Sequence, residues 1–110
     1  MRRHARLACD RPMEAVWQDP RGLIQKLKAR CLDLSEEGAR LETDSPVPAR
    51  TRITINCLPF GSLGMASVRT CQRHSLKYWI GVEFTSSLAL AVAARKRCLE
   101  EIQRLAESQA

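Results

Sequence analysis

The sequence predicts a mainly β protein: six short antiparallel strands forming a small barrel or sandwich, followed by one C-terminal helix. Three observations carry that prediction. Between Pro12 and Phe84, short stretches with apolar residues at every second position alternate with turn-forming residues. Several of those stretches are rich in β-branched and aromatic side chains, which suit a pleated, half-buried surface. Beyond Ser87 the apolar spacing lengthens to that of a helix. A chain of 110 residues has room for a single domain with one modest core. Closing such short strands into a barrel also removes the exposed edges they would otherwise present.

The elements follow in order. Residues 1–11 read as a flexible basic arm, residues 12–84 as the barrel and residues 87–107 as the helix. Pro12 to Trp17 is a short strand, ended by Asp19-Pro20-Arg21-Gly22, where proline and glycine are placed for a turn. From Leu23 to Leu34 the period is two, with Leu27, Ala29 and Cys31 on one face and Lys28 and Arg30 on the other. Asp33 to Gly38 interrupts the alternation, which resumes from Ala39 to Thr43. Ser45-Pro46-Val47-Pro48 is a loop, because neither proline can donate to a ladder. Arg52 to Cys57 is the cleanest strand. Pro59 to Gly64 turns, Met65 to Cys71 is a strand, Gln72 to Ser75 turns again, and Lys77 to Phe84 is the last strand, with Ile80, Val82 and Phe84 inward. Trp79 is expected as an edge residue packed under the helix. In the helix, Ser86 or Ser87 supplies the cap, and Leu88, Val92, Leu99, Ile102 and Ala106 form the packing stripe, with Arg95 as a gap in it. Glu100 and Arg104 make a favourable pair on the exposed side. That stripe packs on the barrel or on a second copy, which makes a homodimer through the helix the alternative arrangement.

Composition narrows the function. The net charge of +6 and pI near 9.5 favour an anionic partner: nucleic acid, nucleotide, phosphate or a membrane surface. The longest apolar run, Leu88 to Ala94, is too short to span a bilayer, so no membrane insertion is expected, and no signal-peptide core follows the N-terminal arginines. Five widely separated cysteines, an odd number, fit reduced thiols in a cytoplasmic setting. No Cys-x-x-Cys pair occurs, and with two histidines a zinc site is not expected. Nor does any nucleophile adjoin an obvious base, and no phosphate-cradling glycine run is present, so no enzymatic activity and no cofactor are expected.

Two short signals remain. One is Arg2-x-x-x-Arg6, in the segment Arg2-Arg3-His4-Ala5-Arg6; the other is Asp33-x-Ser35-x-x-Gly38 at the junction of two strands. Alone, the first is a basic arm and the second a polar turn, in which Asp and Ser bond local backbone and Gly38 supplies a positive φ. Together with Ile80-Gly81-Val82-Glu83-Phe84 closing the last strand, and in this order, they make the chain resemble a PilZ domain, the bacterial receptor module for cyclic di-GMP. The resemblance covers nearly the whole length.

That resemblance implies a six-stranded barrel presenting two arms to the dinucleotide. Arg2 and Arg6 would belong to the first arm, and Asp33, Ser35 and Gly38 to the second; Arg3 falls at a position the family motif leaves open. The residue chemistry agrees. A guanidinium fork matches phosphate oxygens or the O6/N7 edge of guanine. Asp33 can accept from guanine N1–H and N2–H, Ser35 offers a hydroxyl, and Gly38 admits a close backbone approach. The implied function is a cytoplasmic cyclic di-GMP receptor that passes occupancy to an unidentified protein partner. The alternatives are a ligand-independent PilZ-like adaptor of pilus or flagellar motility, with an exposed apolar patch around Trp79 or the helix, and a small basic barrel that binds single-stranded nucleic acid. The last is disfavoured, since aromatics for base stacking make up only 5% of the chain.

Overall fold

The computed structural model describes residues 6–108. Within them the chain forms β1 (Leu7–Gln18), β2 (Ile24–Leu34), β3 (Gly38–Thr43), β4 (Arg52–Cys57), β5 (Gly61–His74), β6 (Lys77–Phe84) and α1 (Ala89–Ser108). All neighbours pair antiparallel, and the strands close into a barrel in the order β1-β2-β3-β6-β5-β4. The expected mainly β fold, a six-stranded barrel followed by one helix, is therefore the one found.

The period of two places the core. Ile53, Ile55 and Cys57 of β4, Leu41 of β3 and Ile80 and Val82 of β6 point inward and are buried, as are Ala29, Cys31 and Leu34 of β2. Each fully buried Leu, Ile or Val stabilises by about 1.5–3 kcal/mol relative to exposure. Val47, in the connection between β3 and β4, is buried and joins the same core. Ala94, Cys98 and Ile102 of α1 join it from the helix side. All five cysteines are free thiols, and Cys31, Cys57 and Cys98 are buried in that core.

Several boundaries differ from the sequence reading; β5 runs on to His74, so the turn expected at Gln72–Ser75 shrinks to residues 75–76. β1 starts at Leu7, within the span expected as a flexible arm. A register shift lies between Ala8 and Arg11, yet inward and outward positions keep alternating from Leu7 to Ala15; the charged Arg11 at an inward position interrupts the apolar pattern. Pro12 is tolerated because β1 meets β4 only through Glu14–Val16, so at Pro12 its one ladder is with β2. β5 starts at Gly61, not Met65, because Gly61 and Gly64 adopt positive φ and fit a bulge opposite Ile55 and Asn56. The helix starts at Ala89; Ser86 Oγ accepts from the Leu88 N–H (3.4 Å), and Leu88 O accepts the first helical bond from Val92.

The packing face of α1 is also different. Ala91, Ala94, Arg95, Cys98 and Ile102 are buried, whereas Leu88 and Ala106 are exposed. Small residues let the helix approach the barrel closely, so the apolar stripe chosen by side-chain size is shared only at Ile102 and at the half-buried Leu99, which packs against the core. Arg95 is not a gap but an anchor, only 6% exposed. Its Nη1 donates to Leu63 O (2.8 Å) and its Nη2 to Ser86 O (3.1 Å), while its guanidinium lies 4.5 Å from the Phe84 ring centroid.

Candidate functional site

The loop between β2 and β3 is built by Ser35. Its hydroxyl accepts from the N–H groups of Glu37 (3.2 Å) and Gly38 (3.1 Å) and donates to Gly38 O (3.3 Å). The Ser35 N–H also donates to Gly38 O, at 2.8 Å. One donor and two acceptor sites are all a serine hydroxyl has. Ser35 is buried and its hydroxyl is engaged within its own turn, as the polar-turn reading of the motif expected, so it shapes the loop.

Gly38 is needed for proximity, not for a positive φ. A Cβ there would lie 2.4 Å from Val82 O, a backbone atom of β6 that cannot rotate away. The loop is tied to the same strand by the Phe84 N–H, which donates to Glu37 O (2.8 Å). The motif loop is thus fixed to the end of β6, where Ile80–Phe84 closes the barrel.

Arg6 and Asp33 are brought together. Arg6 Nη1 donates to Asp33 Oδ1 at 3.2 Å, although 27 residues separate them. Arg40, one strand over, brings its Nε to 3.5 Å from the other oxygen, Asp33 Oδ2. The carboxylate therefore sits between two guanidiniums. Asp33 is placed by a register shift between Cys31 and Asp33 that pairs it with Arg40 across β2 and β3. Arg2, and with it Arg3, lies outside the described residues.

Beside this cluster a groove of about 890 Å³ runs over the outer face of β3, β6 and β5, within the roughly 300–1,000 Å³ typical of small-molecule sites. Arg6, the Ser35–Gly38 loop, Arg40 and Arg69 edge it, and Gly81 lies in it. A Cβ on Gly81 would meet the Thr70 side chain of β5, its Oγ1 at 2.6 Å, so that threonine already fills the space over this position. Trp79 also lines the groove rather than packing under the helix. Its ring stacks on His74 with centroids 3.7 Å apart, its Nε1–H donates to Glu42 (3.0 Å), and Arg40 lies 5.7 Å from its centroid.

Sequence reasoning missed Arg40, Arg69, Trp79 and Gly81 as groove residues. The available signal was the outward register of β6, in which Trp79, Gly81 and Glu83 alternate with buried Ile80 and Val82. A glycine inside such a strand marks a close approach of backbone or ligand.

The guanidiniums at the groove are already partnered. Besides the two on Asp33, Arg69 pairs with Glu83 at 3.1 Å. The side chains of Arg6 and Asp33 are 32% and 18% exposed, so their pair is partly screened. Such pairs contribute about 0–1 kcal/mol. A phosphate dianion could take their place at little cost, and a purine donor edge could take the carboxylate.

No protein-family model matches the sequence, and no curated protein matches it. Solved structures do. The PilZ domain of YcgR from Escherichia coli with c-di-GMP superposes with a TM-score of 0.76 at 16% identity, covering 98% of this chain and 95% of that one. The MrkH–c-di-GMP complex from K. pneumonia gives a TM-score of 0.78 at 15% identity, covering 100% of this chain and 56% of that one. MrkH in its apo state gives 0.77 at 14% identity, covering 96% and 53%. The chain thus spans about half the length of MrkH. The fold is that of a PilZ domain, over nearly the whole chain.

Proposed function

We propose that the protein is a cyclic di-GMP receptor whose ligand lies in the groove over β3, β6 and β5. The observation that carries the reading is the Asp33 carboxylate held between Arg6 and Arg40 at the edge of that groove. In the bound state Arg6 and Arg40 leave Asp33 for the phosphates or for guanine O6 and N7. Asp33 then accepts from guanine N1–H and N2–H. Arg2 joins Arg6 in the basic arm, and Ser35 and Gly38 hold the loop that carries the site. A good bidentate arginine–guanine contact discriminates between bases by about 1–3 kcal/mol. The likeness in fold to YcgR and MrkH, both solved with c-di-GMP, supports the same ligand class.

The output on this reading is a protein partner that senses the rearranged arm and loop. The protein performs no chemistry of its own on the nucleotide. Titration calorimetry with cyclic di-GMP tests the assignment. Arg6→Ala and Asp33→Ala should each weaken binding about tenfold or more, and undiminished affinity in both variants would remove these residues from the site.

One observation favours a second reading, a ligand-independent interaction module: Leu88 and Leu90 stand exposed at the start of α1. The absence of any heat with the intact protein, at concentrations that saturate YcgR, would select that reading.

A further inference from the structure

The positive charge of this protein is not spread evenly. The strand directions place the β1–β2 tip, the β3–β4 connection and the β5–β6 tip at one pole of the barrel, opposite the Ser35–Gly38 loop. Residues 14–28, 44–52 and 73–77 make up that pole. They contain seven basic residues: Arg21, Lys26 and Lys28 on the first hairpin, Arg50 and Arg52 on the connection, Arg73 and Lys77 on the last hairpin. All seven are exposed. The same stretches contain three acidic residues, and each has a partner. Glu14 lies opposite Lys28 in the ladder and accepts from Asn56, Asp19 accepts from Arg21, Leu23 and Gln25, and Asp44 pairs with Lys77. The rest of the chain carries eleven basic against nine acidic residues. Four of the six net positive charges therefore sit at one end.

The same end exposes aliphatic side chains at its two outermost points. Leu23 is 53% and Ile24 62% exposed at the tip of the first hairpin, and Leu76 is 82% exposed at the tip of the other. Each hairpin runs past one neighbour: the ladder of β2 with β3 starts at Ala29, and that of β5 with β4 ends at Ser67. The tips thus stand out from the barrel, each apolar and each flanked by cations. A surface only for solubility has no need of Leu and Ile at its apices, and a duplex-binding ribbon presents polar side chains to base edges and phosphates. Apolar tips within a basic ring match the two layers of an anionic bilayer surface, headgroup charge outside and hydrocarbon beneath.

We propose that this pole docks on the surface of an anionic phospholipid bilayer. Leu23, Ile24 and Leu76 bury among the upper acyl segments, and the seven cations rest in the headgroup layer, with no segment crossing the membrane. Docked in this way, the protein turns α1 and the motif loop away from the lipid and leaves the groove over β3, β6 and β5 open at the side. The surface is separate from the nucleotide site, and the inference stands or falls independently of it.

The test is co-sedimentation with vesicles of phosphatidylcholine containing one third phosphatidylglycerol, against vesicles of phosphatidylcholine alone. The intact chain should pellet with the first and stay in solution with the second. Lys26→Glu/Lys28→Glu should lower the bound fraction about tenfold or more, because each basic residue near such a surface contributes separately to attraction. Leu23→Ser/Ile24→Ser/Leu76→Ser, which leaves the charge unchanged, should weaken binding as strongly. All five positions are exposed, and unchanged thermal melting of both variants separates lost docking from lost folding. Three results would overturn the proposal: no pelleting of the intact chain, full pelleting of the triple serine variant, or tighter retention of the intact chain on a mixed-sequence DNA duplex than on the anionic vesicles.

Discussion

Replacing Arg95 by alanine should loosen the helix from the barrel, and the structure sets the size of the effect. Two charge-assisted hydrogen bonds, to Leu63 O and Ser86 O, vanish together. Leaving a buried carbonyl without a donor costs about 1–3 kcal/mol. The contact of the guanidinium with Phe84, at 4.5 Å, adds about 1–2 kcal/mol when desolvated. Against these stand the desolvation of the cation, which pushes the Arg95 pKa down, and its buried Nε, which has no hydrogen-bond partner. The net loss is about 2–4 kcal/mol, a large part of the 5–15 kcal/mol typical of a domain. With a urea m-value of about 1–3 kcal/mol/M, the unfolding midpoint should fall by roughly 1–2 M. Arg95→Lys should recover part of the loss, since one ammonium cannot reach both carbonyls with the planar fork. The assay is urea unfolding followed by circular dichroism. A midpoint for Arg95→Ala within experimental error of the parent would refute the anchoring role.

Other consequences are equally direct. Gly38→Ala should destabilise by about 1–3 kcal/mol, because its Cβ meets the backbone oxygen of Val82 and one strand must move; a thermal melt reads this, and an unchanged Tm contradicts it. Ser35→Ala should cost about 1–2 kcal/mol, through the three backbone groups its hydroxyl serves, and it should weaken cyclic di-GMP binding less than Asp33→Ala does; the reverse ranking in calorimetry would restore Ser35 as a direct contact. The carboxyl of Asp19 is held below the usual range first by the Gln25 amide, then by the Leu23 N–H and Arg21. Its folded pKa lies under the unfolded one, so its contribution is present above the ordinary aspartate range near 3.9 and is lost as pH falls through the folded value. Protection of the Leu23 amide from exchange, taken relative to its intrinsic rate at each pH, should therefore fall only in that acid window; protection already lost at pH 6 would point elsewhere.

How much of this was legible in the sequence depends on the kind of signal. β4 and β6 were found to the residue, because their alternation is unbroken, with Ile53, Ile55 and Cys57 on one strand and Ile80 and Val82 on the other buried along one face. β5 was shortened because bulges shift its register, so period two fails locally even though the ladder continues, and β1 because the half-buried Arg11 interrupts the apolar pattern while burial still alternates. The helix was found, but its contact face only in part, at Leu99 and Ile102. Size-ranked hydrophobicity selects Leu88 and Val92, whereas the barrel takes Ala91, Ala94 and Cys98, and a lone arginine among apolar residues gives no hint that two carbonyls await it. In the site, Arg6 and Asp33 were legible as a motif pair, and the geometry joins them. Arg40 and Arg69 were not, because outward arginines on strands look like ordinary solvated charge until the topology sets them around one groove.

The most direct measurement is a ¹H–¹⁵N correlation spectrum recorded while cyclic di-GMP is added. The account predicts shifted amides at Arg6, from Asp33 to Arg40, at Arg69 and Gln72, and from Trp79 to Phe84, with the tips at Leu23 and Leu76 unmoved. Shifts confined to those tips or to α1, with Asp33, Arg40 and Gly81 silent at saturation, would contradict it.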